Sequence, residues 1–180
     1  MNQGELTKDL RENALLNLYQ NQGYQTERVE RKSLILDIQH EEGSDVTTFS
    51  FNLQEPLRID KLSDMYLDSF TTINCDLGSS DSPEKGGFIL KLNQFNINTA
   101  SGSTDNTTGA KLFNSVFIPN ESTGLADKTV CHKSKKFNYI CNVNPTKIFT
   151  ISGSITDLKG GNPFSGTGRI IAEFVFISRD

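Results

Sequence analysis

The sequence has no tryptophan, only two histidines and only three cysteines in 180 residues. Cys75, Cys131 and Cys141 are odd in number and have no CxxC spacing, so they predict free thiols in a reducing compartment. A bridge between Cys131 and Cys141 across a hairpin stays open as an alternative. His40 and His132 stand far apart, in neither an HxH nor an HExxH pattern, and therefore no metal site is expected.

Long apolar runs and an excess of basic residues are also missing. No stretch approaches the roughly 20 apolar residues of a membrane span, and the start of the chain has no apolar signal region. The 18 Lys and Arg against 22 Asp and Glu give a net charge of −4, whereas a nucleic-acid groove usually needs a strong basic excess. We therefore expect an intracellular product with no membrane span and no nucleic-acid partner.

Patterns that would indicate catalysis are missing too. There is no GxSxG elbow and no GxxxxGK[ST] phosphate loop. Asp60, Asp64 and Asp68 are close in sequence, and we interpret them as solvated strand-edge charges rather than as the facing carboxylates of a glycosidase. Cys131 and His132 are adjacent, but on an extended strand their side chains point to opposite faces. The sequence thus predicts no catalytic residues, no cofactor and no enzyme, with chemistry on carboxylates alone as the one enzymatic alternative.

The first 32 residues differ from the rest of the chain. Leu6, Leu10, Ala14 and Leu18 recur every four positions, which is typical of one apolar stripe on a helix. A helix this short is marginal by itself in water, so its stripe needs a partner on its own domain or on a neighbouring molecule. We treat residues 1–32 as an N-terminal amphipathic arm and these four side chains as candidate partner-binding residues.

From Ser33 onward the hydrophobic period changes to two, which is the period of a half-buried strand. The candidate strands are Leu34–Ile38, Val46–Leu53, Leu57–Leu62, Met65–Ile73, Phe88–Ile97, Lys111–Ile118, Phe137–Val143, Lys147–Ile155 and Arg169–Ile177. Turns rich in Gly, Pro and Asn separate them, and no helix-length pattern lies between them, which favours antiparallel pairing. Residues 33–180 therefore predict a single all-β domain, an antiparallel eight-stranded jelly-roll β-sandwich.

Three segments carry a resemblance to a known group of proteins. They are EPLRIDKLSDMYLDSFTT (55–72), FTISGSITDL (149–158) and GRIIAEFVFI (168–177). They resemble segments of small single-jelly-roll structural proteins, minor capsid or penton (vertex) components, of nucleocytoplasmic large DNA viruses, and the resemblance covers roughly residues 45–180. It implies a virion structural protein that is made in the host cytoplasm and located in the capsid. Its partners would be the major capsid protein, neighbouring minor proteins or further copies of itself, in a large assembly such as a homo-pentamer.

A carbohydrate- or receptor-binding jelly roll is the alternative. Its contacts would come from the loops Ser101–Gly109 and Ser122–Lys136. Sugar sites favour aromatic platforms, and the absence of tryptophan together with only four tyrosines argues against this alternative.

Overall fold

The computed structural model describes residues 29–41, 47–73, 86–104, 112–121, 130–131, 137–164 and 167–179. Residues 30–179 form one compact unit. The described residues form β1 (Arg31–His40), β2 (Thr48–Ile59), β3 (Ser63–Ile73), β4 (Gly87–Leu92), β5 (Val116–Pro119), β6 (Val130–Cys131), β7 (Asn138–Val143), β8 (Thr146–Thr156) and β9 (Gly168–Ser178). The all-β prediction is confirmed for this part of the chain.

The strands form two antiparallel sheets. Sheet 1 has the order β1-β9-β3, and both β6 and β7 pair with the far edge of β3. Because β7 pairs with residues 63–67 of β3 and β6 with Thr71 and Thr72, these two strands lie end to end along one edge. Sheet 2 has the order β2-β8-β4-β5.

The hydrophobic core lies between the two sheets. In β1, for example, Leu34, Leu36 and Ile38 are buried while Ile35 is 62% exposed, as the two-residue period requires. Across the interior, the ring centroids of Phe70 in β3 and Phe88 in β4 are 5.2 Å apart. Buried side chains from both sheets form one cluster, so the unit is a β-sandwich. No helix among the described residues is long and apolar enough to cross a membrane.

Several predicted strand boundaries are wrong. Val46–Leu53 and Leu57–Leu62 are not separate strands, because β2 runs through both with a shift in its register to β8 between Asn52 and Leu57. Pro56 has no N–H to give to a ladder, and it lies inside this bulge at the sheet edge. In addition, β4 ends at Leu92 rather than Ile97, and β5 begins at Val116 rather than Lys111. The two-residue strand β6 is not predicted at all.

One glycine allows two strands to approach each other closely. Gly153 in β8 pairs with Leu92 of β4 on one side and with Phe49 of β2 on the other. A Cβ at this position would lie 1.9 Å from the carbonyl oxygen of Lys91 and 2.8 Å from the Phe49 ring. The packing of sheet 2 therefore depends on a residue without a side chain.

Candidate interaction surfaces

An aromatic cluster lies on the face of sheet 1 that points away from the core. Tyr66 alternates with the fully buried Met65 and Leu67, which places its ring on the outer face. Phe137 stacks on Tyr66 with the ring centroids 5.0 Å apart, and Tyr139 meets Tyr66 edge-on at 5.7 Å. Phe137 is 46% exposed and Tyr139 49%. We call Tyr66, Phe137 and Tyr139 the aromatic patch.

The backbone holds Phe137 in a conformation that bulky residues rarely adopt. Its φ is 56°, in the left-handed region, which costs a non-glycine residue about 1–2 kcal/mol. The stack on Tyr66 and the start of β7 at the next residue fix the ring there. Such strain persists only where the surroundings enforce it, and it is concentrated at functional sites.

A polar network borders the aromatic patch. The hydroxyl of Tyr139 donates to Oδ1 of Asn142 at 2.7 Å, and Nη2 of Arg179 donates to the same oxygen at 3.0 Å. Nε of Arg179 also donates to both carboxylate oxygens of Asp64, at 2.9 and 3.0 Å. These bonds to Asp64 raise the pKa of Arg179. The network holds the Tyr139 hydroxyl and the Arg179 guanidinium in fixed positions.

A second surface is a cleft of about 460 Å³ between β1 and the bulge of β2. Both strands are at the edges of their sheets. The cleft is lined by Lys32, Ser33, Leu34, Ile35, Leu53, Glu55, Pro56, Leu57 and Arg58. Its lining therefore combines aliphatic side chains with charged ones.

Two of the basic side chains that line this cleft, Lys32 and Arg58, form ion pairs. Lys32 Nζ lies 2.8 Å from Glu30 and 3.1 Å from Asp60, and Arg58 Nε lies 2.9 Å from Asp60. The hydrogen bond from Lys32 lowers the pKa of Asp60, and the hydrogen bond to Glu30 raises the pKa of Lys32. The four side chains are between 25% and 72% exposed, so the pairs contribute little to stability and mainly set the local charge pattern.

A third surface is a cleft of about 470 Å³ beside the start of the loop predicted to contact a receptor. It is lined by Thr99, Ala100, Ser101, Gly102, Leu112, Ser115, Phe117 and Leu158. Nearby, Oδ1 of Asn114 is buried without a hydrogen-bond partner among the described residues. Residues 105–109 of that loop and most of Ser122–Lys136 are outside the described residues.

The predicted partner-binding residues Leu6, Leu10, Ala14 and Leu18 also lie outside the described residues. Of the neighbouring carboxylates, Asp60 pairs with Arg58 and Lys32. Asp64 pairs with Arg179. Each of the two carboxylates thus has a basic partner, and Asp64 lies on β3, which has neighbouring strands on both sides, rather than at a sheet edge.

His40 occupies a structural position. It is buried and stacks on Phe164 with the ring centroids 4.8 Å apart. Its Nε2 lies 2.9 Å from Nδ2 of Asn162. The amide orientation is fixed because the Phe164 N–H donates to Oδ1 of Asn162 at 3.1 Å. The other histidine, His132, lies outside the described residues.

Cys141 is a free, buried thiol. Burial, and secondarily the Asp64 carboxylate, raise its pKa to about 11, so it is protonated at neutral pH. The registers place Cys141 opposite Met65 and Cys131 opposite Thr71. Those positions on β3 are roughly 20 Å apart, whereas bridged cysteines have Cα atoms within about 7 Å. The backbone therefore excludes the Cys131–Cys141 bridge.

Sequence reasoning missed the aromatic patch. Tyr66 and Tyr139 become neighbours only through the pairing of β3 with β7, which local periodicity does not reveal. In the described segments, no three His, Cys, Asp or Glu side chains come together in a way that could hold a metal ion. No protein-family model and no curated protein matches the chain.

Proposed function

We propose that the chain is a non-enzymatic structural protein of a virion, a minor capsid or penton component of a large DNA virus, built as a single jelly roll. It acts through contacts with the major capsid protein, neighbouring minor proteins or further copies of itself. It is made in the host cytoplasm and located in the capsid.

The strand pairing is the observation that carries the proposal. If the end-to-end strands β6 and β7 count as one, the first half of the chain pairs with the second half in reverse order. β1 pairs with β9, β2 with β8, β3 with β7, and β4 with β5. This pairing is expected when one long antiparallel hairpin is rolled up into two Greek keys. That architecture is the jelly roll, which is common in viral capsid and lectin domains.

The location of the resembling segments adds support. Residues 55–72 span the end of β2 and nearly all of β3, 149–158 lie mostly in β8, and 168–177 make up β9. β3, β8 and β9 each pair with strands on both sides. The resembling segments therefore lie mostly on interior strands of the sandwich.

The arm supplies the proposed contact to a neighbour. Its stripe of Leu6, Leu10, Ala14 and Leu18 is apolar, and a short helix of this kind is stabilised mainly by packing on another surface. In a symmetric assembly each such contact is repeated in every subunit, so a weak contact suffices.

Two measurements test this proposal. Mass spectrometry of purified virus particles should detect the chain at a fixed ratio to the major capsid protein, and its absence from particles would refute the capsid function.

For the arm, we compare the native mass of the protein by light scattering before and after replacing Leu6, Leu10 and Leu18 with serine. The matched control replaces Lys8 and Glu12, on the opposite side of the predicted helix. We expect the leucine variant alone to lose assembly while it keeps the melting temperature of the domain; intact assembly would contradict the proposed contact.

A further inference from the structure

We propose that the aromatic patch, with Asn142 and Arg179 at its border, binds one pyranose ring of a neutral glycan. Such binding is independent of where the chain sits in a particle, and it would add a recognition function to the structural one. The shortage of aromatic residues that argued against sugar binding is compensated locally, because two of the four tyrosines meet an exposed phenylalanine here.

The first step of the argument concerns stacking. One face of the Phe137 ring lies on Tyr66, and the side chain is still 46% exposed. The faces of aromatic rings carry partial negative charge, and one face of a pyranose presents C–H groups of partial positive charge. Because Phe137 is already held in place by its backbone and by Tyr66, little conformational entropy is lost when a sugar ring stacks on it.

The second step concerns hydrogen bonds at the rim of the sugar ring. Among the described residues, Nδ2 of Asn142 and Nη1 of Arg179 have no hydrogen-bond partner. Both groups are N–H donors, and the acceptors that hold the rest of each side chain fix their orientation. They can therefore donate to the hydroxyl oxygens that surround the apolar face of a pyranose.

The third step concerns charge and size. The carboxylate of Asp64 lies 2.8 Å from Nη2 of Arg179 and neutralises the guanidinium, so this arginine does not itself select an anionic sugar. Phe137 and Tyr139 are each about half exposed, which leaves roughly 200 Å² of aromatic surface. A standard protein interface needs about 800 Å² from each partner. The patch is large enough for one sugar ring but too small to anchor a protein alone.

We would test the site by NMR titration of the isotope-labelled full chain with methyl α- and β-pyranosides of glucose, galactose and mannose, and with sialyllactose as the anionic comparison. Binding of one neutral ring should have a Kd on the order of 1 mM. The chemical-shift changes caused by the saccharide should be largest at Tyr66, Phe137 and Tyr139. Phe137→Ala and Asn142→Ala should each weaken binding about tenfold or more. Phe149→Ala is the matched control, because Phe149 is 58% exposed on the other sheet.

The outcomes separate this inference from the proposed structural function. Saccharide shifts at the patch that disappear in Phe137→Ala but persist in Phe149→Ala would support the inference, provided both variants melt like the wild type. No shift with any neutral pyranoside, unchanged binding in Phe137→Ala, or tighter binding of sialyllactose would overturn it. If Phe137→Ala changes the native mass and no saccharide shifts the NMR signals of the patch, the surface is a protein contact. The glycan site is then refuted, while the structural function stands.

Discussion

Replacing Gly153 with alanine is expected to be among the most damaging single-methyl additions to this domain. The new Cβ would lie 1.9 Å from the Lys91 carbonyl oxygen. Ordinary contact begins at 3.4 Å, so β4 and β8 would have to separate by more than about 1 Å. Overpacking of this kind costs about 1–3 kcal/mol, and each weakened backbone hydrogen bond adds about 1 kcal/mol. We therefore expect a loss of about 2–4 kcal/mol.

Urea denaturation followed by circular dichroism measures this loss directly. For a domain of this size the melting temperature should fall by roughly 5–15 °C. Gly102→Ala is the matched control, because nothing lies within 4 Å of a Cβ at that position; its stability should change by less than about 0.5 kcal/mol. If Gly153→Ala costs less than about 1 kcal/mol, the two strands separate easily and the reasoning about their close approach is wrong.

Three further predictions concern single side chains. Arg169 holds the pKa of Asp37 below its ordinary value. The resulting stabilisation of the folded state is fully present above the pKa that Asp37 has in the unfolded chain. It is lost as the pH falls through the lower pKa that Asp37 has in the folded chain. Asp37→Asn should thus be slightly less stable than the wild type at pH 7, with the difference shrinking below about pH 4 in urea titrations; a difference independent of pH would contradict this. With the other two cysteines replaced by serine, Cys141 should react with iodoacetamide at pH 8 roughly 100-fold more slowly in the folded than in the unfolded chain; equal rates would contradict its burial. Asn162→Ala removes the bond to His40 and should cost about 1–3 kcal/mol, so an unchanged urea midpoint would show that this amide is dispensable.

Local periodicity predicted the strands that have one buried face. β1 and β3 alternate clearly between buried and outward residues, and their predicted bounds agree with the structure to within about three residues. Periodicity failed where the strand was irregular. Pro56 and the register shift after Asn52 make β2 look like two strands, because a bulge interrupts the alternation while the pairing to β8 continues.

The candidate surfaces depend on long-range pairing and were therefore not predictable in the same way. Arg179 reaches Asp64 and Asn142 only because β9 and β7 both pair with β3. In the linear sequence Asp64 belongs to a group of nearby carboxylates, and Phe137 follows a basic segment. Neither pattern indicates that an aromatic ring and a guanidinium would meet on one face.

The edges of the two sheets indicate how copies of this chain can associate. A free strand edge is a template for uncontrolled pairing, and proteins protect it with bulges, prolines, charges or short strands. In the described residues, β2 carries a bulge with Pro56, β5 has four residues and ends at Pro119, and the edge beside β3 is divided between β6 and β7. On the remaining edge, β1 carries Lys32 and Asp37, both in ion pairs. Because every edge strand has such a feature, we expect any assembly of this chain to form through its side-chain surfaces and its arm, not by adding strands to its sheets.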